Sequence, residues 1–218
     1  MSASVGRLEP CIVLASASPR RAELLAQFGL PFVVAPADID ERQHPGEPPE
    51  TYVARLATEK AQAGLAQQLA TDSCDPEQTV LVSIGSDTVV VLDNEILGKP
   101  GGPKESEAML RKLSGRSHRV LTSVCVASAN WLQCQTVETQ VSFRSLEAHE
   151  PQWYWDTGEP ADKAGSYGIQ GIGGIFVQEI RGSYSAVVGL PLVETRALLQ
   201  RAIFKVCGID IFREQLHG

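Results

Sequence analysis

The stretch "CIVLASASPRRAELLAQFGL" (residues 11–30) passes from a continuous apolar run, through two serines and a proline, into an amphipathic pattern that closes on Gly29. A short apolar run suits a buried strand, and proline at a first-turn position followed by helical periodicity suits a helix. The stretch therefore reads as strand, tight loop, helix. It also raises a question of charge, because Arg20 and Arg21 stand in the first turn, where the helix dipole already contributes about half a positive charge. A loop such as "SASPRR", opening at Ser16, aims several backbone N–H groups in one direction, and with the arginines it forms a candidate phosphate site. The alternative is a solvated pair of surface charges; cations opposing the dipole carry a local cost that an anion relieves.

Outward from this unit, "PFVVAP" reads as a second short strand and "ADIDERQHPGEPPE" as a loop. From Thr51 to Leu69 the chain is rich in Ala, Leu, Gln and Glu, with Val53, Leu56 and Ala57 at helical spacing, and Lys60 continues that apolar stripe. A lysine there points inward or snorkels from the edge of the buried face. Next, "TVLVSIG" and "TVVVL" are β-branched runs flanking "GSD", and "DNE" predicts a hairpin turn before "ILGKP". "PKESEAMLRKL" is an amphipathic helix stopped by "SG", and "HRVLTSVCVAS" and "WLQCQTVETQVSF" form an antiparallel hairpin joined at "AN". A short helix within "EAHEPQWYWDTGEP", the Gly-rich "DKAGSYGIQGIGG", a strand "IFVQEI", a loop and a helix "PLVETRALLQRAI" complete the pattern. Strands and helices alternate but antiparallel hairpins interrupt them, so the expected fold is α/β, a mixed sheet flanked by helices.

Composition limits what such a fold is for. The 218 residues, 43% hydrophobic and 21% charged, contain no Pro, Ser or Gly tract long enough for a flexible linker, so one folding unit is expected across 1–218. A formal net charge of −7 argues against a protein that coats nucleic acid, and any anionic ligand must be met by a few locally placed cations. The five cysteines (Cys11, Cys74, Cys125, Cys134, Cys207) are odd in number and scattered without a CxxC pair, and read as core or surface thiols in a reducing compartment rather than as a disulfide framework or zinc site. "MSASVGRLEP" lacks the apolar segment of a signal peptide, and no run of roughly 18 apolar residues offers a membrane span, so a cytoplasmic protein without membrane attachment is expected.

Four further segments carry candidate chemistry. Asp87, after an apolar strand, is placed to hold a metal or act as a base, or simply to cap a turn. Asp38, Asp40 and Glu41 form a loop that either brings a second carboxylate to a cation or stays solvated. In "LGKP", Gly98 permits close backbone approach and Lys99 precedes a proline that holds it extended; a surface lysine is the alternative. The Gly-rich segment suits a loop passing close to a ligand, with Lys163 and Gln170 as its polar groups. The chain has no GxGxxG, GxxxxGK, HExxH or GxSxG motif, and His44, His118, His149 and His217 are isolated from one another and take no catalytic role. Jointly, Arg20, Arg21, Lys60, Lys99 and Lys163 balance a polyphosphate while Glu41 and Asp87 carry a divalent cation and activate water, an inventory suited to phosphoryl transfer.

From "LASASPRRAELLAQFGL" through "YVARLATEKA", "IGSDTVVVLDNEILGKP", "MLRKLSGRSH" and "TGEPADKAGSYGIQGIGG" to "GSYSAVVGLPLVET", the sequence closely resembles the Maf family of nucleoside triphosphate pyrophosphatases, also known as septum formation inhibitors. The first nine or so residues, the "TDSCDPEQ" loop and the tail after Ile203 fall outside the resemblance. It implies an elongated, twisted mixed sheet with two lobes around a cleft, as in ITPase-like folds. It also implies hydrolysis of a nucleoside triphosphate to the monophosphate and pyrophosphate with magnesium or manganese, and commonly a homodimer. Motif by motif, Asp87 of "GSD" matches the proton acceptor, Glu41 of "IDE" a second acid, and Arg21, Lys60 of "ATEK" and Lys99 of "LGKP" residues around the phosphates. Ser86 stands where many members have alanine, and Ser166 interrupts the usual "AGAYG".

Base preference divides the family at three positions. Members similar to dTTP and UTP pyrophosphatases carry "SPRR", "DT" and "IQG", whereas those acting on 7-methyl-GTP tend towards tryptophan after the proline, "DQ", and an acid in place of the glutamine. Arg20, Thr88 and Gln170 put this chain in the first group. Arginine would repel a methylated, cationic purine on which tryptophan could stack, and a glutamine amide both donates to and accepts from a uracil or thymine edge. The rival expectations are 7-methyl-GTP hydrolysis and a non-catalytic nucleotide-binding regulator of cell division.

Overall fold

A computed structural model describes residues 9–71 and 79–214. Cys74, His217 and most of the "TDSCDPEQ" loop lie outside the described residues, as does all of "MSASVGRLEP" but its last two positions. The chain opens with β1 (Glu9–Leu14), α1 (Pro19–Ala26), β2 (Phe32–Val34) and α2 (Pro49–Leu69). β3 (Thr79–Leu92), β4 (Glu95–Leu97) and α3 (Pro103–Leu113) follow, then the hairpin β5 (Ser117–Ser128) and β6 (Trp131–Phe143). α4 (Glu150–Asp156) leads into three 3-10 turns spanning residues 159–176, and β7 (Val177–Arg181), α5 (Tyr184–Val188), α6 (Leu192–Cys207) and α7 (Ile211–Glu214) close the described chain.

The seven strands form one mixed sheet in the order β2-β1-β3-β5-β6-β7, with β4 paired to β3 alone. β1 runs parallel to β2 and β3, and every other pairing is antiparallel. The β3–β4 turn places Asp93 and Asn94 at φ 50° and 66°, the left-handed pair that a two-residue hairpin of matching twist requires. Where the sequence suggests two short runs around "GSD", the structure has one 14-residue strand. α5 has no counterpart in the sequence reading, which leaves its residues in a loop.

Side chains alternate along β3 and so divide two faces. Even positions build two cores: Val82 and Ile84 join Leu24, Leu25, Leu198 and Leu199 from α1 and α6, while Val90 and Leu92 join Met109, Leu110 and Leu113 from α3 with Tyr154 and Phe176. Between those cores lie Ser86 and Thr88. Odd positions face α2, whose Val53, Ala57 and Ala61 pack on Val89, Val91, Cys125 and Ala127.

The α2 contact is unusually close. A methyl group added at Gly85 would fall inside the contact radius of the Ala57 carbonyl oxygen and the Ala61 amide, both backbone atoms of α2. Only a residue without a side chain lets the helix lie this near the strand. Gly85→Ala is expected to push α2 off the sheet and destabilise the fold by about 3 kcal/mol, the upper part of the range for overpacking. Chemical denaturation measures it, and a midpoint equal to the parent's would show the contact to be slack.

One expectation is corrected. Cys125 and Cys134 are register partners on β5 and β6 and are joined by a disulfide, so they are not unpaired thiols. The hairpin turns at Ala129–Asn130, and two cysteines equidistant from that turn are brought face to face by the register. Cys207 remains a thiol. Among the described residues no helix is long and apolar enough to cross a membrane.

Candidate active site

The gap between the two cores opens as a cleft of about 810 Å³, and every residue given a candidate role from the sequence lines it except Asp38 and Asp40. The β1–α1 loop forms one wall. Ser16 is buried, and its hydroxyl accepts from the Ser18 amide at 3.2 Å, tightening the turn that leads into α1. No side chain caps α1 and no acidic residue stands in its first turn.

Arg21 folds back under this loop. Its Nε donates to the Gly189 carbonyl at 2.9 Å, Nη1 to the Ser16 hydroxyl at 3.2 Å and Nη2 to the Thr88 hydroxyl at 3.3 Å. Thr88 lies 3.0 Å from the Thr122 hydroxyl, which donates to the Ala186 carbonyl at 2.6 Å, so α5 and β5 share in fixing the guanidinium. All three acceptors are neutral. Burial pulls the Arg21 pKa down while Asp87 and Glu41 push it back, and an arginine stays charged regardless. The half-buried guanidinium is thus fixed by neutral oxygens alone, with Asp87 and Glu41 as the negative charges nearby.

On the other face of β3, Asp87 meets α2. The Lys60 ammonium donates to Asp87 Oδ1 at 2.7 Å and pairs with Glu41 Oε1, also at 2.7 Å. The inward-pointing lysine of the helical stripe is thus the hub that joins two carboxylates far apart in sequence. Burial raises the Asp87 pKa against the pull of Lys60 and Arg21. Glu41 is half-exposed; burial would raise its pKa, but the bond to Lys60 and the charges of Lys60, Lys99 and Arg21 outweigh that and lower it. Tyr52 on α2 anchors the acidic loop by donating to the Glu41 carbonyl at 2.7 Å. Of the three acids in that loop only Glu41 reaches the cleft; Asp40 pairs with Arg42 at the surface and Asp38 is exposed.

Lys99 is exposed at the end of the β3–β4 hairpin, and Gln170 is exposed on the Gly-rich loop. Arg20 and Lys163 are already engaged: Asp162 takes Lys163 Nζ at 2.6 Å and Arg20 Nη1 at 3.4 Å, bridging the α1 wall to the Gly-rich wall. No sequence signal marks Asp162, Glu159, Tyr52 or Thr122, whereas the Gly189 carbonyl is foreshadowed by "SAVVGLP", in which Gly189 adopts φ 131°. The two departures from the family pattern are both satisfied. The Ser86 hydroxyl, with one proton to donate, stands 2.9 Å from the Ser123 carbonyl and 3.0 Å from that of Gly189, and the buried Ser166 hydroxyl bonds that of Ser106. Of the described histidines, His118 lies buried against Tyr167, 2.8 Å from its hydroxyl, and burial pulls its pKa down to about 4.

Among the described residues no group of three or more His, Cys, Asp or Glu gathers to hold a metal by itself. Glu41 and Asp87 converge on one point, however, and each spends only one oxygen on Lys60. Two carboxylates with remaining positions filled by water and phosphate oxygens is the usual manner of binding Mg²⁺, so the donor set fits such an ion.

Fold and cleft together define an α/β protein whose cleft gathers several cations beside a pair of carboxylates. The chain belongs to the Maf family: residues 11–202 match the family described as Maf-like protein. Among its relatives, a protein of Shewanella denitrificans is 56% identical over 192 residues, covering 86% of this chain and 93% of its own. One of Anaeromyxobacter dehalogenans is 54% identical over 201 residues (90% and 96%), and one of Pseudoalteromonas atlantica 52% over 190 residues (87% and 96%). All three carry the name dTTP/UTP pyrophosphatase.

Proposed function

We propose that this protein is a hydrolase that cleaves dTTP and UTP to the monophosphate and pyrophosphate. The observation that carries the chemistry is the Asp87–Lys60–Glu41 contact beside the half-buried Arg21, inside a cleft large enough for a nucleotide. The names of relatives more than half identical over most of their length support the substrate pair.

In this reading the polyphosphate lies between the "SASPRR" loop, Arg21 and Lys99, and the cations offset the charge that grows on the departing pyrophosphate. Asp87 accepts a proton from the water that attacks the α-phosphorus, and its raised pKa makes it a better base than an ordinary aspartate. Lys60 keeps that carboxylate oriented. When held by Glu41 and Asp87, a divalent cation such as Mg²⁺ or Mn²⁺ supplies further neutralisation of the phosphates. Gln170 reads the pyrimidine edge. The proposal extends to a cytoplasmic enzyme, acting as a homodimer on free nucleotides and not on nucleic acid.

Measuring pyrophosphate release from dTTP, UTP and 7-methyl-GTP, with and without Mg²⁺, tests this directly. Rapid metal-dependent release from the two pyrimidine nucleotides is expected. Nucleotide binding without release would instead identify a regulator, and preferential release from 7-methyl-GTP would reassign the substrate.

A further inference from the structure

The cleft contains a second carboxylate arrangement that the proposed chemistry does not use. Glu159 opens the first 3-10 turn, and its side chain is turned into the Gly-rich segment. Oε1 accepts from the Tyr154 hydroxyl at 2.6 Å and the Gly173 amide at 3.0 Å, and Oε2 accepts from the Ile172 amide at 2.8 Å. The Tyr154 oxygen accepts in turn from the Gly168 amide at 3.0 Å. Tyr154 is fully buried in the core shared with Phe176 and Phe143, so this anchor does not move independently of the fold.

These bonds seize the loop at both ends, at Gly168 and at Ile172–Gly173, and leave its middle, with Gln170, facing the cleft. The glycines are the other half of the arrangement. A methyl group at Gly168 would press first on the Lys163 side chain at 2.7 Å and then on Glu159 Oε1 at 2.9 Å, and methyl groups at Gly171 and Gly173 would overlap the Glu159 carboxylate and the Tyr154 hydroxyl. At Gly171 and Gly173 the loop lies so close to this carboxylate and its tyrosine that no side chain fits between.

We propose that Glu159, seconded by Tyr154, is a positioning residue that sets base selectivity by fixing the loop from which Gln170 addresses the nucleotide. This rests on the reading of Gln170 as the group facing the pyrimidine. A carboxylate presents two acceptor oxygens, whereas an amide presents one acceptor and a donor that meets an N–H head on. Glu159→Gln therefore keeps the size of the side chain but cannot accept from Ile172 and Gly173 on separate oxygens, which frees that end of the loop.

The test compares UTP with CTP, whose edges reverse donor and acceptor. For Glu159→Gln we expect KM for UTP to rise about tenfold with kcat within about twofold, and the UTP-over-CTP ratio of kcat/KM to fall about tenfold, the loss of one well-made hydrogen bond. In a Gln170→Ala background the same substitution should leave the ratio unchanged, which a general loosening of the fold would not do. Tyr154→Phe removes only the hydroxyl and should shift the ratio in the same direction; it keeps the test standing if Glu159→Gln does not fold. A ratio at the parental value in the variants that fold overturns the proposal. Absence of UTP hydrolysis by the parent protein would instead refute the function assigned above, so the two failures are distinct.

Discussion

Asp87→Asn will turn over dTTP and UTP about a thousandfold more slowly than the parent, the size of effect that removal of a positioned general base produces, with no loss of melting temperature. Both halves of this expectation come from the same contact. The asparagine carbonyl oxygen still accepts from Lys60, and Lys60 keeps Glu41 as its counter-charge, so no buried charge is left unpaired. What disappears is the basic oxygen. In the parent, kcat/KM should fall in acid as Asp87 takes up a proton, and because burial raises its pKa the fall should begin above the range of an ordinary aspartate. Steady-state assays across pH, with thermal melts of both proteins, decide it; near-parental turnover by the variant removes Asp87 from the chemistry.

Lys60→Met inverts the situation. The methionine fills much of the lysine's volume but leaves Asp87 and Glu41 facing one another without their shared cation. Breaking a buried pair from one side costs about 3 kcal/mol or more, here roughly 10 °C in melting temperature for a chain of this size. The loss should depend on pH with a definite sign. In the variant the folded-state pKa of Asp87 lies above its unfolded value, so its protonated form stabilises the fold in acid, and that stability is lost as pH rises through the folded pKa. The deficit against the parent is therefore larger at pH 8 than at pH 5. Melts at the two values measure it, and a deficit that does not change with pH would mean that Asp87 is not the group left exposed to the missing charge.

Local pattern reveals most of the scaffold, and the exceptions share a cause. Proline and the dipeptide "DN" mark the helix starts and the β3–β4 turn because they act on their own backbone. Lys60 betrays its inward direction because it continues the stripe of Val53, Leu56 and Ala57. "GSD" looks like a break in a strand, since glycine and serine usually mark turns, whereas Gly85 is there for the neighbouring helix and Ser86 for two carbonyls supplied by β5 and the segment after α5. The Cys125–Cys134 pairing was legible once the turn at Ala129–Asn130 is placed, because both cysteines then stand at the same distance from it. By contrast Glu159 acts through backbone amides 13 and 14 residues away, and Arg21 rests on a carbonyl 168 residues away. No local signal carries a contact to a main-chain atom, which every residue type possesses.

β3 holds a lesson about motion. At roughly 3.3 Å for each residue its 14 residues reach from one core to the other, with Asp87 between them. An unbroken beam of this kind has no elbow, so the jaws of the cleft do not close by bending about its midpoint. In the proposed reading a nucleotide would be gripped by exchanging the Asp162 bridge for its own phosphates rather than by swinging one half of the molecule onto the other.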